Sequence, residues 1–393
     1  MEGREMHEGR MVFSQVMDYF PARAFQSIVE RYNGNKWVQR FTCRSHFNAL
    51  AFGQLTGCKS LRDIEVRLIT NRRHLHHLGI PASGVSRNNL AHANETRDWR
   101  IYRDIALTLT GHARGLYAEE DIGVEVAGSV YAFDSTTIDL CLSLFPWANF
   151  RSTKAGIKAH TAIDVRGGIP AFINITEAKQ HDVASLDALP IEKGAFYLID
   201  RGYLDFRRLH TIHQTGAFFV TRLKRNSKFK RRYSQKVDRA TGVRCDQTGN
   251  LCGNGAENAY PEAVRVVSFV DPETGKRLRF LTNYMACDAL TICLLYKLRW
   301  QVELFFKWMK QHLSIKHFLG TSENAVHVQI WTAVASYTLV AIMRKELRIE
   351  KSMYEILQFL RVSIFEKTSI IQAFSKFTED EISENPFFQG EFW

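Results

Sequence analysis

A stretch near residue 300 carries four polar side chains at the spacing of one helix face. They are Tyr296, Arg299, Glu303 and Lys310. At about 100° per residue the four point in nearly one direction, while the apolar residues between them point the opposite way. The spacing therefore predicts a helix that buries one side in a core and presents a carboxylate between cationic groups on the other. A carboxylate placed in this way is a candidate for chemistry.

Two aspartates follow short hydrophobic runs earlier in the chain. Asp134 follows residues 129–133, Ser-Val-Tyr-Ala-Phe, and Asp200 follows residues 195–199, Ala-Phe-Tyr-Leu-Ile. Both runs are rich in aromatic or β-branched residues and lack polar alternation, which predicts buried central strands. Because α/β sheets build their sites at the carboxyl ends of strands, both aspartates are expected at such an end, where they can converge.

Together with Glu303, these aspartates supply three carboxylates. Mg²⁺ prefers hard oxygen ligands, so three carboxylates and the phosphate oxygens of a substrate are enough to hold two ions. Two ions roughly 4 Å apart support the attacking and leaving oxygens of an in-line phosphoryl displacement. The residues therefore predict a nuclease or strand transferase that uses two Mg²⁺ ions. The sequence does not separate Mg²⁺ from Mn²⁺ as the working ion.

The contexts of these residues resemble a known family. Asp134 stands in Phe-Asp-Ser-Thr-Thr, Asp200 stands in Ile-Asp-Arg-Gly-Tyr, and the later residues follow the spacing Tyr-x2-Arg-x3-Glu-x6-Lys. In this order they resemble the DDE transposases of bacterial insertion sequences, and among them the insertion-sequence-4-like group with its YREK signature. Residues 13–68 also resemble the amino-terminal domain of these transposases, so the similarity covers most of the chain.

The resemblance implies an RNase H-like catalytic core and cut-and-paste DNA transposition by a homodimer that holds both element ends. In such a reaction water cuts one strand and leaves a 3′-hydroxyl, which then attacks target DNA. The β insert of this group often offers a tryptophan to an unstacked base, but residues 204–285 contain none. The candidate platforms are then Phe229, Tyr233 and Trp300, and cleavage through a DNA hairpin stays open.

Charge and spacing assign a role to each residue of the predicted site. Asp134, Asp200 and Glu303 are expected to be catalytic and to hold the metal ions. Arg299 and Lys310 are expected to clamp phosphates, and Tyr296 to bond to a phosphate oxygen. The alternative is a buried ion-pair network among the helix residues. It would account for neither aspartate.

Composition agrees with a nucleic-acid partner without demonstrating one. The 393 residues contain 52 Lys and Arg against 41 Asp and Glu, a net charge of +11, which suits a polyanion but also occurs in many other proteins. The seven cysteines show no Cys-x2-Cys spacing, which fits a reducing bacterial cytoplasm. The start of the chain lacks an apolar export signal, and the apolar run 325–343 is predicted to be a buried core helix rather than a membrane span. Nucleoid association is expected.

The chain is predicted to be an α/β protein with several parts. Residues 1–12 are expected to be disordered, and 13–120 to form an all-α DNA-binding domain. Residues 121–345 are expected to form an RNase H-like catalytic domain, a mixed sheet flanked by helices, with a β-rich insertion at about 205–285. Runs near 218–223, 263–271 and 277–283 predict that this insertion is a small β subdomain. Residues 346–393 are expected to be a helical carboxyl-terminal region.

Two segments are candidates for double-stranded DNA contact. Between residues 222 and 244 there are ten Lys or Arg and one acid. The members predicted to contact DNA are Arg222, Lys224, Arg225, Lys228, Lys230, Arg231 and Arg232. The second segment is a predicted helix after Ser86, where Arg87, Asn94 and Arg97 carry groups that bond to phosphates and base edges. A solvated surface is the alternative for both.

Two other functions remain open on the sequence alone. One is another RNase H-like nuclease, which would need neither the basic insertion nor a helical end-binding domain. The other is a transposase-derived DNA-binding protein that no longer cuts, against which the presence of all three carboxylates argues.

Overall fold

The computed structural model describes residues 9–140, 143–151, 154–179, 182–253, 255–272, 274–312 and 318–374. Within these residues the chain divides into two compact units. The helical unit comprises residues 9–117 and 307–374. The sheet unit comprises residues 118–306 and contains every strand of the described residues.

The α-helices are listed here in chain order. They are α1 (Val12–Met17), α2 (Ala22–Arg31), α3 (Cys43–Leu55), α4 (Leu61–Thr70), α5 (Arg87–Thr96), α6 (Arg100–Tyr117), α7 (Phe206–Gln214), α8 (Ala256–Ala259), α9 (Ala289–Leu298), α10 (Trp300–His312), α11 (Glu323–Glu346) and α12 (Met353–Ser363). The strands are β1 (Val130–Leu140), β2 (Asn149–Arg151), β3 (Lys154–Asp164), β4 (Ile169–Glu177), β5 (Phe196–Ile199), β6 (Phe218–Arg222), β7 (Lys228–Gln235), β8 (Val243–Cys252), β9 (Val264–Val270) and β10 (Arg277–Thr282).

Local sequence signals explain several helix boundaries of the helical unit. The Ser60 hydroxyl accepts a hydrogen bond from the Asp63 backbone N–H and so caps the first turn of α4. Gly57, at φ +69°, follows α3 in the left-handed conformation that favours glycine. The predicted core helix is also confirmed, because α11 is long and apolar enough for a membrane span yet 94% of its most apolar window is buried.

The sheet unit is built on a mixed sheet that fits an RNase H-like core. Five of its strands lie in the order β4-β3-β1-β5-β6. The first three are antiparallel neighbours, whereas β1 pairs with β5 and β5 with β6 in parallel. The β3–β4 hairpin turns at Gly167 and Gly168, which both have positive φ, as the sequence predicts. Helix α7 makes the short connection between the parallel strands β5 and β6.

The predicted β subdomain is wrong in one respect. The strands after β6 continue the same sheet in the order β6-β10-β9-β8-β7, all antiparallel, so ten strands form one surface. The pairing of Phe280 with Arg222 joins the added strands to the edge of the core. The inserted residues therefore widen the same sheet and leave β7 as its outer strand.

Candidate active site

The register between β1 and β5 places two of the predicted carboxylates on neighbouring strands. Phe133 pairs with Ile199, so Asp134 and Asp200 each follow the last residue of this parallel pairing. Asp200 directly follows β5, as predicted. Asp134 does not end its strand, because β1 continues to Leu140 through antiparallel pairing with β3.

Arg299 connects the strand to the predicted helix. Its Nη1 donates to Asp134 Oδ2 at 3.0 Å, and its Nη2 donates to Glu303 Oε1 at 2.5 Å. The Tyr296 hydroxyl donates to Asp200 Oδ1 at 3.4 Å. The helix itself differs from the prediction, because it is divided at Arg299 into α9 and α10. Asp134, Asp200 and the three later residues still meet in one cluster of the sheet unit.

The charges of this cluster influence one another. The pKa of Asp134 is raised from 3.8 to about 6. Burial is the main cause, the negative charges of Asp200 and Glu303 act in the same direction, and the Ser135 N–H and Arg299 oppose them. The charges of Asp200 and Glu303 therefore reach Asp134 electrostatically. Asp134 is therefore held in a site that favours a cation beside it.

Asp200 shows the opposite shift. Burial raises its pKa, but the Gly202 N–H and the charges of Arg299 and Arg222 outweigh burial and leave the pKa below its ordinary value. Arg222 stands at the end of β6, the strand next to β5, and is half-buried. The sequence places Arg222 only in the basic insertion. Its position beside the carboxylates depends on the strand order, which no local signal reveals.

Two more side chains of the cluster have shifted pKa values. Burial raises the pKa of Tyr296 to about 12, so its hydroxyl stays protonated at neutral pH. Burial works to lower the pKa of Arg299, but Tyr296, Glu303 and Asp134 raise it more strongly. A permanent cation and a neutral hydroxyl donor thus face the carboxylates.

A second polar group lies beside Asp134. Asp182 Oδ1 accepts a hydrogen bond from the Ser135 hydroxyl at 3.0 Å and forms an ion pair with Lys158 at 3.0 Å. Ser135 follows Asp134 on β1, and Lys158 lies on the neighbouring β3. The contact with Ser135 joins residues 47 positions apart, which spacing does not predict.

The donor chemistry of the cluster fits a divalent cation. Three carboxylates are hard oxygen ligands of the kind that Mg²⁺ and Mn²⁺ take. The guanidinium of Arg299 already places one positive charge between Asp134 and Glu303. Across the described residues, no group of three or more His, Cys, Asp or Glu side chains is arranged to hold a metal ion. The carboxylates therefore suit a metal in chemical type, but in this arrangement the guanidinium of Arg299 takes the place of a metal between Asp134 and Glu303.

The other predicted residues fall on three surfaces. Trp300 begins α10 with 37% of its surface exposed, and Lys310 lies further along the same helix. The remaining cations of the basic insertion are exposed on or before the outer strand β7: Lys224, Arg225, Lys228, Lys230, Arg231 and Arg232. Arg87 is exposed at the start of α5.

Asn94 and Arg97 require a correction, because both are buried in the helical unit. Asn94 is 1% exposed, and its Oδ1 accepts from His46 Nε2 at 3.0 Å. Arg97 is 7% exposed and donates to the backbone oxygens of Thr42 and Phe41. Their polar groups stabilise the packing of α5 and are not available to DNA.

Comparisons with known proteins agree with this geometry. Residues 126–339, more than half of the chain, match the family described as "Transposase DDE domain". Residues 8–81 match a domain of unknown function (DUF4372). The chain is 32% identical over 285 residues to a presumed transposase, y4zB, of Sinorhizobium fredii, covering 72% of this chain and 78% of that protein.

Two further proteins show similarity. A presumed transposase for insertion sequence element IS5377 of Geobacillus stearothermophilus is 32% identical over 208 residues, covering 53% of this chain and 54% of that protein. The piggyBac transposase in its synaptic complex with hairpin DNA aligns at a TM-score of 0.47 and 11% identity, over 98% of this chain and 84% of that chain.

Proposed function

The chain belongs to the family of DDE transposases, and we propose that Asp134, Asp200 and Glu303 are the three carboxylates of its active site. The protein is a transposase that binds DNA, cleaves it and transfers its strands, as its family membership and its insertion-sequence relatives establish. We place it in the insertion-sequence-4-like group, because Tyr296, Arg299 and Glu303 lie together in the order of the YREK signature.

The observation that carries the assignment is the bridge made by Arg299. One guanidinium bonds to Asp134 on β1 and to Glu303 on α10, residues far apart in the sequence. Asp200 joins them through Tyr296 and through its electrostatic effect on Asp134. Placing several partly buried carboxylates near one another costs free energy. Such an arrangement is typical of a site that binds a cation or carries out a reaction.

The family depends on divalent metal, and we propose two Mg²⁺ ions, with Mn²⁺ able to replace them. When bound, the metal supplies activation of the attacking oxygen and stabilisation of the leaving oxygen. The chain's own residues hold and orient the reactants. Arg299 and Lys310 neutralise phosphate oxygens near the scissile bond, Arg222 adds a third cation beside Asp200, and Tyr296 donates from its protonated hydroxyl.

DNA contacts outside the active site follow from exposure and charge. The cations of β7 and the residues before it form a phosphate-binding surface on the widened sheet, with Trp300 as a stacking position. Lysines on an outer strand also prevent strands of different molecules from pairing. We propose Arg87 as the contact of the helical unit and a homodimer as the form that holds two element ends at the nucleoid.

The test compares cleavage by the wild type and by Glu303→Gln of DNA carrying the sequences that flank the gene. With Mg²⁺ or Mn²⁺, the wild type should produce 3′-hydroxyl ends at a defined position. Glu303→Gln should bind the same DNA but cut it slower by on the order of 10³-fold, because several kcal/mol of charge stabilisation are lost. Asp139→Asn is the matched control, because Asp139 is exposed on the same strand as Asp134.

Two other outcomes would redirect the assignment. A wild type that binds these ends but never cuts them with either ion would be a DNA-binding protein derived from a transposase. A wild type that cuts RNA–DNA hybrids or branched DNA without regard to the flanking sequences would be another RNase H-like nuclease. Full cleavage by Glu303→Gln would remove Glu303 from the site.

A further inference from the structure

The turn after α2 holds a tryptophan away from the protein. Trp37 is 91% exposed, more than any other large hydrophobic side chain of the described residues. Its backbone has φ +63°, a left-handed conformation that bulky residues rarely adopt. Exposure of an indole and backbone strain both cost free energy. Their combination at one residue indicates a role other than packing.

This turn is well anchored, so the exposure of Trp37 does not come from a loose segment. Asn35 Oδ1 accepts from the Cys43 N–H at 2.8 Å, and the Val38 N–H donates to the Asn35 carbonyl at 3.0 Å. Gly34 packs so closely that a Cβ there would lie 2.5 Å from Ile101 Cδ1. These contacts fix the backbone on both sides of the indole and direct it outward.

The charges around Trp37 indicate which kind of partner this turn can bind. Between Arg31 and Arg44 the chain has four cationic residues and no acidic one. Lys36 lies with its Nζ 5.8 Å from the centre of the indole ring, and both Lys36 and Arg40 are exposed. Arg31 is partly neutralised by Asp104 at 3.4 Å, and the Arg44 guanidinium packs over Phe20, so Lys36 and Arg40 set the local charge. An aromatic ring between two exposed cations suits a polyanion that carries flat aromatic groups.

We propose that residues 36–40, the Trp37 turn, form a DNA contact in which the indole stacks on a base of bound DNA. Lys36 and Arg40 lie at the flanking phosphates. The contact rests on the proposed function, because it requires that the protein acts on DNA. It adds a second stacking position, in the helical unit, to the cationic surface of the sheet unit. A second copy of this chain would also cover an exposed indole, but it would meet the same positive charge.

The experiment measures binding of the full chain to a duplex carrying the flanking sequences, and thermal unfolding of the same variants. Trp37→Gly should bind about 5- to 150-fold more weakly, the range for loss of one stacked base. Its unfolding midpoint should stay unchanged or rise, because glycine relieves the left-handed backbone. Asn33→Gly is the matched control, since Asn33 also has a positive φ, +51°, but lies before the Trp37 turn. It should bind DNA like the wild type.

A second pair of variants tests stacking without changing the backbone. Trp37→Phe should keep most of the affinity that Trp37→Leu loses, because both have a side chain at the same φ and only one has a ring. Lys36→Gln with Arg40→Gln should reduce the slope of log affinity against log salt by about 0.9 for each lost phosphate contact. Equal binding by the Phe and Leu variants, or by Trp37→Gly and the wild type, would overturn the proposal.

Sedimentation of the protein without DNA tests whether a second copy of the chain covers Trp37. If the wild type is a dimer and Trp37→Gly dissociates it, the indole is a protein contact and the proposal fails. An unchanged assembly state together with weaker DNA binding supports it. A wild type that binds no DNA at all would instead refute the proposed function, so the two failures are distinguishable.

Discussion

Two buried arginines of the sheet unit have different environments. Arg265 on β9 is 1% exposed and donates from Nε and Nη2 to the two oxygens of Asp246, both at 2.8 Å. Its Nη1 donates to the Cys287 carbonyl at 2.7 Å. The Arg299 side chain is 13% exposed and divides its bonds between two carboxylates. Its Nε has no hydrogen-bond partner among the described residues.

The difference separates a structural ion pair from the proposed active site. Arg265 and Asp246 satisfy each other in a closed bidentate pair, which leaves no carboxylate oxygen without a bond. Arg299 has more carboxylates than it can neutralise, and one of them, Asp134, has a pKa raised to about 6 by burial. Excess negative charge in a partly exposed cluster is the condition under which a further cation or a phosphate-bound metal is stabilised.

The largest expected effect on stability comes from breaking the closed ion pair of Arg265 and Asp246. Arg265→Ala should lower the free energy of unfolding by about 3–5 kcal/mol, because it leaves the Asp246 charge buried without a partner. Arg299→Ala should cost much less, since Asp134 can take up a proton and the site is open to water. Denaturant titrations of both variants give the comparison. Greater destabilisation by Arg299→Ala would mean that Arg299 belongs to a structural network.

A smaller effect follows from the titration of Asp134. Its pKa is raised from 3.8 to about 6, so the folded state prefers the protonated form. The stability that the folded state gains from this protonated carboxyl is fully present below about pH 4 and is lost as pH rises through about 6. In EDTA, the free energy of unfolding of the wild type should therefore fall over this window by up to about 3 kcal/mol relative to Asp134→Asn. Parallel pH profiles of the two proteins would contradict the shift.

Arg222 should give the smallest effect. Arg222→Gln removes a charge that lowers the pKa of Asp200 and so favours its ionised form, and cleavage should slow by about tenfold, equivalent to about 1.4 kcal/mol of activation free energy. Arg207→Gln is the matched control, because Arg207 is an exposed arginine of the same unit, on α7, and is not among the proposed DNA contacts. Stability should not change in either variant. If the two variants cleave at the same rate, the position of Arg222 beside the site has no catalytic consequence.

The parts of the fold that the sequence predicts are those set by local patterns. The end of β5 at Asp200, the β3–β4 hairpin, the Ser60 cap and the burial of α11 all follow from turn chemistry, capping or hydrophobicity over a few residues. The continuation of β1 beyond Asp134 does not, because it depends on pairing with β3. The single sheet of ten strands depends in the same way on the distant pairing of β6 with β10.

The burial of polar residues is the second feature that the sequence pattern does not predict. Asn94 and Arg97 have the spacing and chemistry of DNA-contact residues, but tertiary contacts decide their role. Asn94 meets His46, and the pKa of this histidine is held well below its usual range by burial. Helical periodicity cannot identify such a contact, because nearly every residue of α3 is buried and the helix has no polar face.

The central claim is that Asp134, Asp200 and Glu303 act together as metal ligands. The most direct measurement is cleavage of the flanking-sequence DNA by Asp134→Cys, Asp200→Cys and Glu303→Cys, each assayed with Mg²⁺ and with Mn²⁺. All three should bind DNA, fail to cut with Mg²⁺ and regain cleavage with Mn²⁺, which accepts sulfur more readily than the harder Mg²⁺. If one of the three variants cleaved at the wild-type rate with Mg²⁺, the residue replaced in that variant would not be a metal ligand.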